Sequence, residues 1–459
     1  MKRIFTMLAA TLLLTAALAV TASASDFDTV AEDLSAIGMF RGTADGDFAL
    51  DRAPTRSEAA IMLVRLYGAE ETAKTAYDAG ELAHPFTDVS DTAAPYVAYL
   101  YTNGIANGTS ATTFGSANAC SAQNYVVFLL RALGYQDGTD FAYADALTFA
   151  QSKGFYDPMM FSGAFLRDDL AAVTYQALGT DLKDGSTYLL DSLIQSGAIA
   201  KDKAASMTSK IEAYRGMNAA TSKMDGTAMD ADLVMKMDMT ATADGETETT
   251  TSDVTGNVKM ILDENDIQMA YSMKTTTDGV AMDMGMWMKD GWMYMSIADG
   301  EETMTYKYQV ADELAALEGL AGMQTSDMGV NGLAMIDSIT TEKSGSDTVY
   351  TVVIGKGMAG ILNGVQDMMG DAGMDMSMTF GDITATYTVD RSGNLKNMKM
   401  VFSAAMKMDL GEDIGVMDVA YDYDVAMTIK ATGNSVKITY PDFSGYQEID
   451  PSAMPELAA

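Results

Sequence analysis

The chain has 459 residues, 48% of them hydrophobic and 20% charged, which is enough for two to four folded domains and too apolar for a disordered chain. Its 29 basic residues stand against 64 acidic ones, a formal net charge of −35, so no basic footprint exists to neutralise phosphates and nucleic acid is excluded as a partner. Cys120 is the only cysteine, which rules out an internal disulfide framework.

Residues 1–24 read as a secretory signal peptide: Lys2 and Arg3 give the charged start, Met7–Val20 the apolar stretch, and Ala22-Ser23-Ala24 an A-x-A cleavage site. The apolar stretch is too short to span a membrane, and no later one is long enough. Export without a transmembrane anchor or a lipidated cysteine is the expectation.

Pro54-Thr55-Arg56-Ser57-Glu58 opens a short helix that ends at Gly68. Thr55-x-x-Glu58 is a capping box, in which each side chain satisfies the other's orphan backbone N–H, and Gly68 supplies the left-handed stop. Setting Gly68 against Gly134 and Gly179 aligns three such segments without a gap. Thr55 then meets Ser121 and Leu166, Arg56 meets Ala122 and Arg167, and Glu58 meets Asn124 and Asp169. Upstream, Gly38-Met39 matches Gly104-Ile105, Gly42 matches Gly108, and Phe48 matches Phe114, while the third copy starts at Gly154-Phe155 with a shorter loop. An amphipathic helix such as Tyr96-Val97-x-x-Leu100 precedes each glycine, and copy two has an extended lead-in, Pro85–Val89. A unit repeated roughly every fifty residues signals stacked modules that bury their apolar faces on one another.

Phe86-Thr87-Asp88-Val89, Gly104-Ile105-Ala106-Asn107-Gly108, Phe114 and the Thr55-to-Gly68 helix resemble S-layer homology modules. The resemblance implies an all-α, three-repeat spindle, with repeats at 25–75, 84–135 and 140–200, the last including a closing helix that begins at Tyr188. It further implies grooves that bind a pyruvylated polysaccharide in the wall of a Gram-positive-type bacterium. By position, the ligand-contacting arginine of the family's Thr-Arg-x-Glu motif falls on Arg56 and Arg167, with Ala122 in the remaining copy; Asp88 matches the acidic residue of the lead-in strand. Independently of the resemblance, a guanidinium in the first turn of a helix opposes the macrodipole, so a ligand would explain Arg56. Its planar fork suits the carboxylate of a ketal-linked pyruvate. Thr55 and Glu58 are accounted for by capping alone.

From 206 to 459 the texture changes. A helical pattern at Met207–Lys223 is followed by alternating runs at Ala228–Ala243, Thr255–Leu262, Ile267–Thr277, Ala281–Lys289, Trp292–Ile297 and Met304–Gln309, separated by Asp-Gly turn signals. Helical patches at Val310–Ala321 and Met358–Met369 interrupt further strands at Ser346–Ile354, Met374–Val389, Leu395–Leu410, Ile414–Lys430 and Ser435–Tyr440. The expected fold of this half is a curved antiparallel half-barrel sheet covered by helices. Most of the 39 methionines lie here in Met-x-Met runs, such as Met235-Lys236-Met237-Asp238-Met239, which place the thioethers on one strand face. Three uses follow: a plain apolar core, a pliant surface for a lipid or other hydrophobic ligand, or a soft site for Cu(I). In layout the domain resembles open half-barrel lipoprotein-carrier-like proteins, which implies an acyl-chain cavity.

Nothing in the sequence marks an enzyme or a bound cofactor. The chain has no Gly-x-Ser-x-Gly elbow, phosphate loop or zinc spacing. His84 is the only histidine and sits in a loop before Pro85, and Cys120 has no second thiol. Asp45-Gly46-Asp47 lacks the ligand spacing of an EF-hand. The sequence therefore describes a wall-anchored, non-catalytic surface protein displaying a β domain, with hydrophobic-ligand capture by that domain as the alternative.

Overall fold

The structure, a computed structural model, describes residues 27–42, 47–158, 164–224, 228–243, 246–263, 266–300, 302–309, 332–355, 376–409 and 416–449. The expected signal segment, the expected helices Val310–Ala321 and Met358–Met369, and Asp45-Gly46 lie outside the described residues.

The described part of the N-terminal half is helical: α1 (Asp28–Ala36), α2 (Arg56–Leu66), α3 (Glu70–Asp78), α4 (Ala94–Thr102), α5 (Ala122–Ala132), α6 (Ala146–Ser152), α7 (Arg167–Leu178), α8 (Leu189–Gln195) and α9 (Ala205–Thr221). Capping weakens from copy to copy. At α2, Glu58 N–H donates to Thr55 Oγ1 at 3.3 Å and Thr55 N–H donates back to Glu58 Oε2 at 2.8 Å, a full box. At α5 only Ser121 Oγ accepts, from Asn124 N–H at 3.3 Å. At α7 only Asp169 answers, accepting from Leu166 N–H at 2.7 Å, because a leucine side chain has no oxygen.

The packing is cyclic. The first helix of each copy lies against the second helix of another: α4 on α2, α6 on α5, and α1 on α7, while α2 also meets α5 and α5 meets α7. Leu63, Leu129, Leu130, Val173, Tyr125 and Tyr175 meet in one core at zero exposure. Tyr125 is held there by a 2.6 Å hydrogen bond between its hydroxyl and that of Thr174.

The second part is a 13-stranded sheet: β1 (Met229–Ala243), β2 (Glu246–Asp263), β3 (Asp266–Thr277), β4 (Val280–Lys289), β5 (Trp292–Ala298), β6 (Thr303–Gln309), β7 (Ser338–Ser344), β8 (Asp347–Ile354), β9 (Met376–Phe380), β10 (Ile383–Val389), β11 (Leu395–Asp409), β12 (Val416–Thr432) and β13 (Gln447–Glu448). Its order is 13-6-5-4-3-2-1-12-11-10-8-7, with β9 on β11, so the sheet stays open, with β7 and β13 at its edges. The pairs are antiparallel except β13 with β6. Asp278 and Gly279, and Asp290 and Gly291, hold positive φ at two hairpins, the backbone that a two-residue turn requires.

Alternation sorts the sheet into two faces. Met237, Met239, Tyr421 and Tyr423 are buried on one face while Lys236, Asp422 and Asp424 point to the other. On the apolar face α9 covers one end, where Met217, Ala220 and Met224 pack on Val352, Ala385 and Tyr387.

Three strand expectations change. Strand β7, Ser-Ile-Thr-Thr-Glu-Lys-Ser, was hidden by its polar composition, which suits an exposed edge. The run Met374–Val389 breaks at Gly381-Asp382 into β9 and β10, with Gly381 N–H turned to Ser403 O at 2.9 Å. Ser435–Tyr440 is not a strand; it crosses the polar face, where Lys259 Nζ reaches Lys437 O at 3.3 Å and the Tyr440 hydroxyl reaches Gln268 Oε1 at 3.1 Å.

Gly216 tests how α9 docks. A mid-helix glycine ordinarily gains stability on change to alanine, but a Cβ here would lie 2.5 Å from the Tyr350 hydroxyl oxygen. Gly216→Ala is therefore expected to lower the melting temperature, and Gly216→Ala with Tyr350→Phe to recover it; thermal melts of the three proteins check this.

Candidate functional site

The site is built at the N-terminus of α2. Four N–H groups at a helix start have no partner within the helix. Here the loop 114–120 of the second copy supplies partners: Arg56 N–H donates to Asn118 O at 2.8 Å, Ser57 N–H to Ser116 O at 3.2 Å, and Cys120 N–H returns to Pro54 O at 2.8 Å. Asp88 holds that loop in shape, its carboxylate accepting from the N–H groups of Phe114, Gly115 and Ser116 at 2.7, 2.8 and 3.0 Å. Burial would raise its pKa, but the three N–H groups hold it below the usual range. Asp88 and Arg56, named separately from the sequence, therefore meet through one loop.

The same clasp recurs at α7, where Arg167 N–H donates to Arg52 O at 2.9 Å and Asp168 N–H to Leu50 O at 3.2 Å in the first copy's loop. The two arginines start from matching positions and end differently. Each donates to a matching carbonyl, Arg56 to Asn107 O at 2.7 Å and Arg167 to Arg41 O at 3.2 Å. Each guanidinium also lies over a ring, Arg56 4.8 Å from Phe114 and Arg167 4.7 Å from Phe40. Arg167 is 5% exposed, and its other donors go to Phe48 O at 2.8 Å and Glu58 Oε1 at 2.9 Å. Arg56 is half-buried and has no ion pair among the described residues, and its Nε is buried without a partner. Ser57 Oγ and Ser116 Oγ, on the two sides of the clasp, are buried and unpartnered as well. Orphan polar atoms on both α2 and the loop that clasps it are unusual, because buried polar groups are nearly always hydrogen-bonded. Sequence reasoning singled out neither serine; Ser57 lies inside the quoted motif but carries no capping signal, and Ser116 acquires its role only from the loop's path.

Glu58 explains Arg167. Burial would raise its pKa, but hydrogen bonds from Arg52 (2.6 Å) and Thr55 and the charge of Arg167 hold it at about 2. The residue matching Glu58 in the copy that clasps Arg56 is Asn124, a neutral amide already accepting the Tyr143 hydroxyl at 2.7 Å. The third position is the converse. Ala122 has no charge, and Asp169 of the third copy is left with burial pushing its pKa up to about 6 against a single opposing N–H, from Leu166. One junction is thus a complete ion pair and one a cation without its anion, while Asp169 is a buried acid with no cation among the described residues.

These states predict different responses. Arg167→Ala should cost at least about 2 kcal/mol by leaving Glu58 partly unpaired, whereas Arg56→Ala should leave the melting temperature almost unchanged. Because Glu58 has a folded pKa of about 2 against an ordinary 4.5, its contribution is full above pH 4.5 and fades as pH falls toward 2. Glu58→Gln should flatten that acid limb in melts taken across this range. Ala122→Arg, by supplying the absent cation, should raise the melting temperature at neutral pH, where Asp169 is ionised.

Residues 85–120 match the S-layer homology domain. The chain is 30% identical over 114 residues to the Middle cell wall protein of Brevibacillus brevis, and 33% identical over 105 residues to the Surface layer protein of Brevibacillus choshinensis. These alignments span 24% and 22% of this chain and only 10% and 9% of those proteins. Among solved structures, a DUF1329 family protein from Desulfovibrio piger is 10% identical, covering 50% of this chain and 95% of its own, with a TM-score of 0.17. A putative outer membrane lipoprotein-sorting protein domain from Vibrio parahaemolyticus is 11% identical, covering 50% and 97%, with a TM-score of 0.14; overlaps this slight say nothing of this chain's ligands. No helix among the described residues is long and apolar enough to cross a membrane. The S-layer homology match at residues 85–120, with these two cell-wall and surface-layer relatives, indicates a location at the cell surface.

Proposed function

We propose that this protein attaches non-covalently to an acidic cell-wall polysaccharide through the Arg56 guanidinium, at the junction of the N-terminus of α2 with the loop 114–118, and so displays its sheet outside the membrane without catalysing a reaction. The observation that carries the reading is that Arg56 has no anion among the described residues and a buried Nε without a partner, where the matching Arg167 is paired with Glu58 at 2.9 Å. A carboxylate on a sugar, such as a pyruvyl ketal, would accept from the half-buried guanidinium, which no carboxylate of this chain pairs among the described residues. Asp88 and Arg167 are positioning residues in this scheme: Asp88 shapes the loop, and Arg167 ties the first copy to the third.

The test is co-sedimentation of the full chain with purified wall sacculi, alongside sacculi stripped of their secondary polysaccharide by acid. Arg56→Ala should weaken retention by about tenfold, the size of one lost charge-assisted contact, and stripped sacculi should fail to retain the native chain. Asn124→Glu, which restores an anion at the position matching Glu58, should weaken retention while leaving Arg56 in place. Unchanged retention of Arg56→Ala would overturn the assignment.

A further inference from the structure

The polar face of the sheet carries a second groove, of about 530 Å³, over strands β2 to β5. It is built by register. One cross-strand row runs Asn257, Ser272, Gly285 and Ser296, all small or short. On one side lies the row Ala270, Trp287 and Tyr294; on the other, Lys274 stands directly opposite Asp283. Trp287 leans across the trough, since a Cβ at Gly285 would fall inside the six-membered part of its indole. Phe443 stacks on Tyr294 at 3.7 Å and sits 5.9 Å from Trp287, so the returning chain braces the aromatic side. On the other side, the side chains of Lys274 and Asp283 have neither a hydrogen bond nor an ion pair among the described residues despite facing each other in register.

From this we infer that the groove is a saccharide-binding site, with the Trp287 ring as the platform and Lys274 and Asp283 as donor and acceptor for hydroxyls. An indole face presents negative potential, which suits the slightly positive C–H face of a pyranose. A flat ring with hydroxyls around its edge needs an apolar surface flanked by a few polar groups that fix orientation, and the groove has that composition. An unpaired cation and anion side by side favour a neutral polyhydroxylated ring over a charged ligand. Asn257 fixes the far wall, its amide nitrogen bonding to Asp230 Oδ1 at 2.8 Å and Asp232 Oδ1 at 2.9 Å. The site is independent of Arg56, so loss of wall retention in Arg56→Ala would neither support nor harm it.

The experiment uses the full chain with Trp292→Phe, which leaves Trp287 as the sole tryptophan. Tetrasaccharides of glucose, mannose and N-acetylglucosamine are titrated to millimolar concentration while indole emission and calorimetric heat are recorded. At least one should shift the emission saturably. Trp287→Ala should weaken the calorimetric affinity by about tenfold, and Gly285→Ala, which keeps the indole but displaces it, should do the same. Lys274→Ala should weaken binding without shifting the emission of the free protein. Absence of a saturable change with all three sugars overturns the inference, as does full affinity in Trp287→Ala with the melting temperature preserved. If Trp287→Ala unfolds the chain, retained affinity in Gly285→Ala overturns it instead.

Discussion

The helical half depends on one device, the closing of the α2 and α7 helix starts by another copy's loop. A helix N-terminus leaves N–H groups that must find partners, and neither a capping serine nor a capping threonine satisfies more than one. The loop 114–118 fills the remainder at α2, and the loop 48–52 does so at α7. No copy is complete alone, since its first helix packs on a neighbour's second, and in the first and third copies a neighbour's loop finishes the start of the second helix. This is why weakened caps are tolerated. At α7, Leu166 contributes no side-chain bond at all, yet the helix runs twelve residues because the first copy's carbonyls stand in for the missing cap.

The sheet solves a different problem, the filling of a wide face with few contacts specified by shape. Register alone carries Met269, Met288, Met293 and Tyr308 into one cross-strand line and Tyr271, Met286, Met295 and Tyr306 into the next. Flexible thioethers fill the gaps between such rows without demanding an interlocking fit. The opposite face carries the charge, so the excess of acidic over basic residues lies on a surface that water solvates, with Lys259, Lys399 and Lys430 pairing with Asp230, Asp424 and Asp232 across strands.

Much of this was legible from residue order. The helix starting at Arg56 and its box, the glycine stops, and the strands β3, β4 and β5 follow from short-range rules that need no partner. What escaped were features defined by distant chain. Strand β7 has no apolar signature because it lies at an edge; Ser435–Tyr440 alternates like a strand but joins no ladder and lies across the polar face instead. The site was half legible. Arg56 and Asp88 were marked by position in the repeat, but that they share one loop, and that Ser57 and Ser116 join them, depends on the path of residues 114–118.

The divergence of Arg56 from Arg167 shows how identical motifs acquire different work. Both follow a cap position, both reach a matching carbonyl, and both lie over a phenylalanine. The difference is set elsewhere, by whether the clasping copy has a glutamate or an asparagine three residues into its own helix. Glutamate turns the arginine into a buried strut; asparagine leaves it a cation in search of an anion. Asp169 holds the position of Glu58 in the third copy, with no cation among the described residues, and burial pushes its pKa up to about 6. The two junctions thus divide between holding the spindle together and remaining open, and the choice is written in the copy that faces the arginine, not in the copy that carries it.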